Sequence, residues 1–349
     1  MKVFISTALR THPISISACS GLVLIVLVVF ASQWGAVPIS LNDWTSLINR
    51  GGDIESGSSY VLWQLRLPRA VFALLIGAAL GLSGALTQGL FRNPLADPGL
   101  LGVSAGAACA VALGIVLLND LNIPLLPEWR FWTIPVLAFS GAILVCFALD
   151  RIARWITPGS ITGLLLTGIA LNALAAAIIG LCTYLATDEQ LRNLTFWTMG
   201  SLSGSSWMLV IAAAVLFTLA WWRLRALIPV MNVFALGESV AAHVGIEIGR
   251  IRMEIIFWVA LLSGFAVAWC GMIGFIGLIA PNFARAWLGG DQRVVIPASM
   301  LLGSILLLLA DTCARTIAIP AEVPVGIFTA LLGAPFFIML LRSSRRQLA

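Results

Sequence analysis

Side chains able to do chemistry are scarce in this chain. It holds two histidines, His12 and His243, and a single lysine, Lys2. A G-x-x-x-x-G-K-[ST] phosphate loop needs a mid-chain lysine, so nucleotide hydrolysis through a P-loop is excluded. The apolar runs carry no H-E-x-x-H pair, no serine–histidine arrangement and no paired carboxylates. The six cysteines (Cys19, Cys109, Cys146, Cys182, Cys270 and Cys313) never reach C-x-x-C spacing. They sit in or beside apolar runs and read as small buried hydrophobes. Ile16-Ser17-Ala18-Cys19 has lipobox wording, but a lipobox follows its apolar region and here that region comes after the cysteine. No catalytic residue, metal site or cofactor is predicted. Any uphill work must draw on a gradient or on another polypeptide.

The elements around these residues are membrane-spanning. The 349 residues are 60% hydrophobic with a mean hydropathy of +1.03, and only 10% are charged. A spanning helix needs roughly 20 apolar residues. Spans are expected near 15–34, 68–90, 99–118, 131–149, 160–183, 206–224, 254–272, 274–288, 294–312 and 324–341. The chain is thus an all-α membrane protein, one polytopic domain over 1–349. Lys2 and Arg10 before the first run resemble a signal peptide, but the run outlasts an h-region, so an uncleaved first span is expected. From Ile255 to Ala284 no charge occurs, and Gly271, Gly274 and Gly277 offer a tight reversal there. The 32 glycines, among them Gly77, Gly81 and Gly84, suit close helix packing in lipid.

Charge orients the spans. With the N-terminus in the cytoplasm, the outer side keeps Arg50, Arg66, Arg69, Arg130, Arg192 and Arg315, and the other 14 of the 20 Lys and Arg residues fall inside. That bias supports an even span number with both termini cytoplasmic. It also explains the net charge of +5 without a nucleic-acid partner. Ionisable groups are almost missing from the spans, since Asp311 and Glu254 stand near ends, which argues against an ion-coupled carrier.

Several stretches carry a resemblance. Gln88-Gly89-Leu90-Phe91-Arg92-Asn93-Pro94-Leu95-Ala96-Asp97-Pro98-Gly99 is followed by Phe234-Ala235-Leu236-Gly237-Glu238, by Gly274-Phe275-Ile276-Gly277-Leu278-Ile279-Ala280-Pro281, and by Pro324-Val325-Gly326 with Leu332-Gly333-Ala334-Pro335. In this order the chain resembles the membrane permeases of bacterial ABC importers for iron–siderophore complexes, haem and cobalamin. The resemblance implies a ten-span type II permease of the inner membrane, working by alternating access. It implies two copies per transporter, two ATP-binding subunits and a periplasmic substrate-binding protein.

The segment Trp221–Arg252 is the largest expected inside, with short helices broken at Gly237, Gly245 and Gly249. Ala235, Leu236, Gly237, Glu238, His243 and Gly245 form its coupling core for the ATPase, a mix of small apolar contacts and few charges. A plain amphipathic helix lying on the lipid surface is the competing reading. At the outer ends, the resemblance gives Arg66, Arg69 and Arg315 to docking of the binding protein. The alternatives are snorkelling to lipid headgroups and, for Arg315, a local pair with Asp311. The resemblance also places the substrate pathway along the fifth span and the following segment, with Tyr184, Arg192, Trp197 and Met199. Gln190-Leu191-Arg192 followed by Thr195-Phe196-Trp197 looks most like haem permeases, with ferric siderophore or cobalamin as alternatives. Arg192 would meet a propionate or pair with Asp188. Both histidines fall inside, so neither would ligate haem iron in the pathway. Met199 and Tyr184 remain as weak candidates.

Overall fold

The computed structural model describes residues 13–49, 57–120 and 127–348; Lys2, Arg10, His12 and Arg50 lie outside them. No strand occurs among the described residues. The helices are α1 (Pro13–Gln33), α2 (Leu41–Asn49), α3 (Gly57–Phe91), α4 (Val103–Asp120), α5 (Pro127–Ile156), α6 (Ile161–Leu185) and α7 (Asp188–Met199). There follow α8 (Trp207–Leu224), α9 (Ile228–Ala235), α10 (Glu238–His243), α11 (Ile248–Cys270), α12 (Ile276–Leu288), α13 (Gln292–Thr316) and α14 (Val325–Leu348). Six of these stretches are long and apolar enough to cross a membrane, and α1, α4 and α14 hold shorter apolar helices. With α12 they make up the expected ten crossings, in the expected order.

Helix α3 is the axis of the bundle. Its most apolar window is 83% buried within the chain, against 17% for α6. Glycine is the reason it can be central. A Cβ on Gly77 would run into the carbonyl oxygen of Gly303, one on Gly81 into that of Ser299, and one on Gly84 into that of Gly277. Helices α3, α12 and α13 therefore meet backbone to backbone. Gly106 and Gly141 bring α4 and α5 together in the same way. In lipid the hydrophobic effect does not drive helices together, so this contact supplies dispersion attraction that longer side chains would prevent.

Boundaries differ from expectation where charge misled. The seventh span begins at Ile248 rather than 254, because Arg252 is buried by pairing with Glu238 at 2.8 Å. The eighth is only 13 residues, about 20 Å at 1.5 Å per residue, shorter than a ~30 Å hydrocarbon core. The non-helical backbone of 271–275 completes it. Irregular backbone at such depth is tolerated where protein covers it. Gly271 here has φ 67° and lies against Trp197 O, and Ser201 N–H donates to Cys270 O at 2.7 Å. Gly277 falls inside α12 and Gly249 inside α11, so neither breaks a helix.

Gly81→Val should destabilise the fold by about 1–3 kcal/mol or more, the range for overpacking. Gly21→Ala, where an added methyl meets open space, should stay within about 0.5 kcal/mol of the parent. Thermal unfolding of the detergent-solubilised protein checks both.

Candidate functional site

The candidate site residues gather at the two ends of the bundle. One end holds the starts of α3 and α14, the end of α13, and α7. The other holds Arg92, the 3-10 turn Pro98–Leu101 and the segment α9–α10. Arg69 and Arg92 stand near opposite ends of α3, so this one helix joins the two.

At the first end the arginines are used within the chain. Arg66 is buried, and its Nη1 donates to Ser32 O at 3.0 Å while Nη2 donates to Val37 O at 2.6 Å. It thereby satisfies carbonyls left over at the end of α1. Gly35 (φ 154°) leaves it room, since a Cβ there would strike the guanidinium. Arg315 donates to Trp34 O at 2.6 Å and to Ala31 O, and lies 3.8 Å from Asp311. The side chains of Arg66 and Arg315 are both largely buried within the chain.

Asp311 is only 1% exposed, and its closest partner is Arg69, 242 residues away in sequence. Arg69 gives Nε and Nη2 to Asp311 at 3.0 and 2.8 Å, and Nη1 to Glu322 at 2.8 Å. Sequence spacing had offered Asp311 to Arg315, but the fork geometry goes to Arg69. Glu322 was missed altogether; its place among the outward-facing loops was the only available signal. Nearby, Asp43 fastens α2 to the start of α3. The Ser40 amide at 2.8 Å and the hydroxyls of Ser58 and Ser59 hold its carboxyl far below the usual carboxylate range.

Helix α7 lies across the same end. Thr187 and Gln190 form a capping box, and Gln190 Nε2 donates to Ile115 O at 3.1 Å, tying its start to α4. Its far end is held by α14: Val325 N–H donates to Gly200 O at 3.1 Å, and Gly326 sits against Met199 O. Trp197 and Met199 are half-buried at this joint. Arg192 is exposed, and among the described residues it makes no ion pair with Asp188. Tyr184 is exposed at the end of α6, on a different element from Met199. Among the described residues no group of three His, Cys, Asp or Glu side chains is placed to hold a metal.

At the opposite end, α9 is anchored by the fully buried Met231 and Phe234. Asn232 links it to α13, donating to Asp291 at 2.7 Å and accepting from Gln292 N–H at 2.8 Å. Gly237 (φ 123°) then turns the chain into α10, a conformation that strains any side-chain-bearing residue. Glu238 is held by Arg252, which also donates to Gly159 O at 3.2 Å. His243 Nδ1 lies 2.6 Å from Ser239 O. Leu236 at 72% exposure and Val244 at 67% point outward, with Ala235 and Gly245 beside them and Ser239, His243, Glu247 and Arg250 also exposed. Arg92, in the left-handed region at φ 50°, is exposed, and its Nη1 lies 3.9 Å from where a Gly237 Cβ would be. Sequence reasoning had used it to orient the chain and within the stretch that carries the resemblance, but had given it no role at the site.

The geometry is that of an apolar bundle of about ten crossings built on a glycine-lined axis. The chain belongs to the FecCD transport family, which matches residues 23–343. It is 39% identical over 334 residues to the hemin transport system permease protein HmuU of Yersinia pestis, covering 94% of this chain and 96% of that one. It is 38% identical over 332 residues to the vitamin B12 import system permease protein BtuC of Citrobacter koseri, covering 95% and 94%. A solved inward-facing conformation, described as of metal-chelate ABC transporter type, superposes with a TM-score of 0.79 at 32% identity over 94% of this chain and 99% of that one. As a permease the chain is not itself an ATPase; hydrolysis lies in a partner subunit.

Asp311→Asn should cost up to about 3–5 kcal/mol, because it removes the buried counter-charge of Arg69 and leaves only the half-exposed Glu322. Glu322→Gln, at the exposed side of the same arginine, should cost at most about 1 kcal/mol. The Tm of each purified variant decides.

Proposed function

We propose that this chain is the permease of a haem importer in the bacterial inner membrane, with both termini cytoplasmic. The carrying observation is Arg192. It is exposed on α7, unpaired with Asp188, and on the side where the positive-inside bias disfavours arginine. A guanidinium so placed suits a carboxylate-bearing cargo, and haem offers two propionates. The 39% identity to a hemin permease supports the choice. Cobalamin is the second reading, favoured by equal kinship to vitamin B12 permeases and by the lack of histidine along the described pathway segments. Passage does not require iron ligation, since a cargo that is gripped weakly leaves readily.

The permease works as a pair. Helix α6 is the least buried long span, and Ala170, Ala173, Ala177, Gly180 and Tyr184 fall on one exposed stripe of it. Small residues at i, i+3 and i+4 spacing suit backbone-close contact with a second copy, and the pathway runs between the copies beside α6 and α7. Two ATP-binding subunits dock at the Ala235–Gly245 shelf. Their motion reaches α13 through Asn232 and Asp291, and α3 through the glycine contacts. Alternating access follows as these helices move as one body. A substrate-binding protein docks at the arginine-bearing end, where Arg69 Nη1 is the guanidinium group paired with an exposed carboxylate and Arg66 and Arg315 hold the surface in shape.

Leu236→Asp combined with Val244→Asp should abolish co-purification of the ATP-binding subunit without lowering Tm, because both side chains are already outside the core. Retained co-purification would make the shelf a membrane-surface helix. Arg192→Ala should cut haem uptake by proteoliposomes about tenfold or more, one charge-assisted bond at 1.5–3 kcal/mol. Arg192→Lys should be partly active and Asp188→Ala near normal. Uptake of cobalamin or a ferric siderophore, but not haem, by the parent would overturn the cargo and leave the importer class standing.

A further inference from the structure

We infer that Glu322 is an internal stand-in for the docking partner's carboxylate, displaced from Arg69 when an acidic segment of the substrate-binding protein arrives. The inference rests on the docking reading above and goes beyond it. A cavity of about 360 Å³ opens at the arginine-bearing end, lined by Arg66, Arg69, Arg315, Glu322, Ser203 and Ser205 among others. Three guanidiniums face one carboxylate there. Two of the three are committed to the fold, since the Nη atoms of Arg66 and Arg315 end on carbonyls of the chain around the end of α1. Arg69 has committed Nε and Nη2 to the buried Asp311. Its Nη1 alone is tied to a group that can leave. That group is Glu322, 46% exposed, whose two oxygens lie 2.9 and 2.8 Å away.

Exchange at Nη1 therefore costs the fold little. An exposed ion pair is weak, and a partner carboxylate would replace it with chemistry of the same kind. Release of Glu322 also has a mechanical consequence. The loop 317–324 is tied to α3 through this ion pair and to α13 through Val323 N–H on Ala314 O at 3.1 Å. One residue beyond the loop, Val325 holds Gly200 at the end of α7. Docking thus exchanges the loop's bond to the central helix for freedom next to the joint between α14 and the proposed pathway helix. Glu322 sets the affinity of the docking site by competing for it.

The test is binding of the fluorescently labelled cognate substrate-binding protein to the assembled permease–ATPase complex in lipid nanodiscs, at low and high salt. Glu322→Gln should tighten docking about two- to fivefold at low salt, the scale of one exposed pair. The gain should vanish at high salt and on an Arg69→Lys background, where the forked geometry is gone. A gain that persists with Arg69→Lys would reduce Glu322 to general charge repulsion and overturn the exchange. If Arg69→Lys weakens docking while Glu322→Gln leaves it unchanged or weaker, the exchange is overturned and the docking reading survives. If Arg69→Lys docks like the parent, the docking reading falls, and the inference with it.

Discussion

Close contact between the backbones of α3 and α13 is the constraint on which this molecule depends. Gly77 and Gly81 face Gly303 and Ser299, and Gly84 faces Gly277 of α12. A single Cβ at any of these glycines would push the helices apart. The contact is what makes one helix central, and it makes that helix continuous with both ends. Arg69 near its start and Arg92 at its close are carried on a rod with no room to flex sideways. Interiors packed this closely shift between discrete arrangements rather than deform gradually. A transporter that must pass force from one face to the other needs such a rod.

The polar groups obey a second constraint. A charge within an apolar bundle must be paired or spent on backbone carbonyls. Arg66 and Arg315 do the latter, and Asp311 is surrounded by guanidinium from Arg69. The result is a rigid, cation-rich face with little loose charge. The opposite end is built on the reverse logic. There Glu238 and Arg252 neutralise each other, and Leu236 and Val244 are exposed apolar side chains of the α9–α10 segment. An exposed apolar shelf at Leu236 and Val244 suits close contact with a protein partner.

Much of this was legible in the sequence, and the reason is periodicity. Long apolar runs set the spans, arginine asymmetry suggested their alternation, and Gly237 and Gly271 marked turns that the backbone makes with φ of 123° and 67°. Pairings across the chain were not legible. Asp311 could be matched by spacing only with Arg315, because an i, i+4 neighbour is visible in one dimension and an arginine 242 residues away is not. Arg66 as a cap on a distant helix end had no sequence signal at all. Nor did the span beginning at Ile248: counting Arg252 as a loop residue was reasonable until its partner was known. The glycines announced close packing but not their partners.

The same limit bears on cargo. Telling one cargo from another is a matter of exposed side chains, and exposed positions are the least constrained by folding. Helix α7 illustrates the difference within twelve residues. Thr187, Gln190 and Leu194 are spoken for by the capping box, the bond to Ile115 and the core. Arg192 is exposed and, among the described residues, enters no ion pair. Folding therefore does not dictate the residue at that exposed position, which is why the cargo is harder to read than the fold.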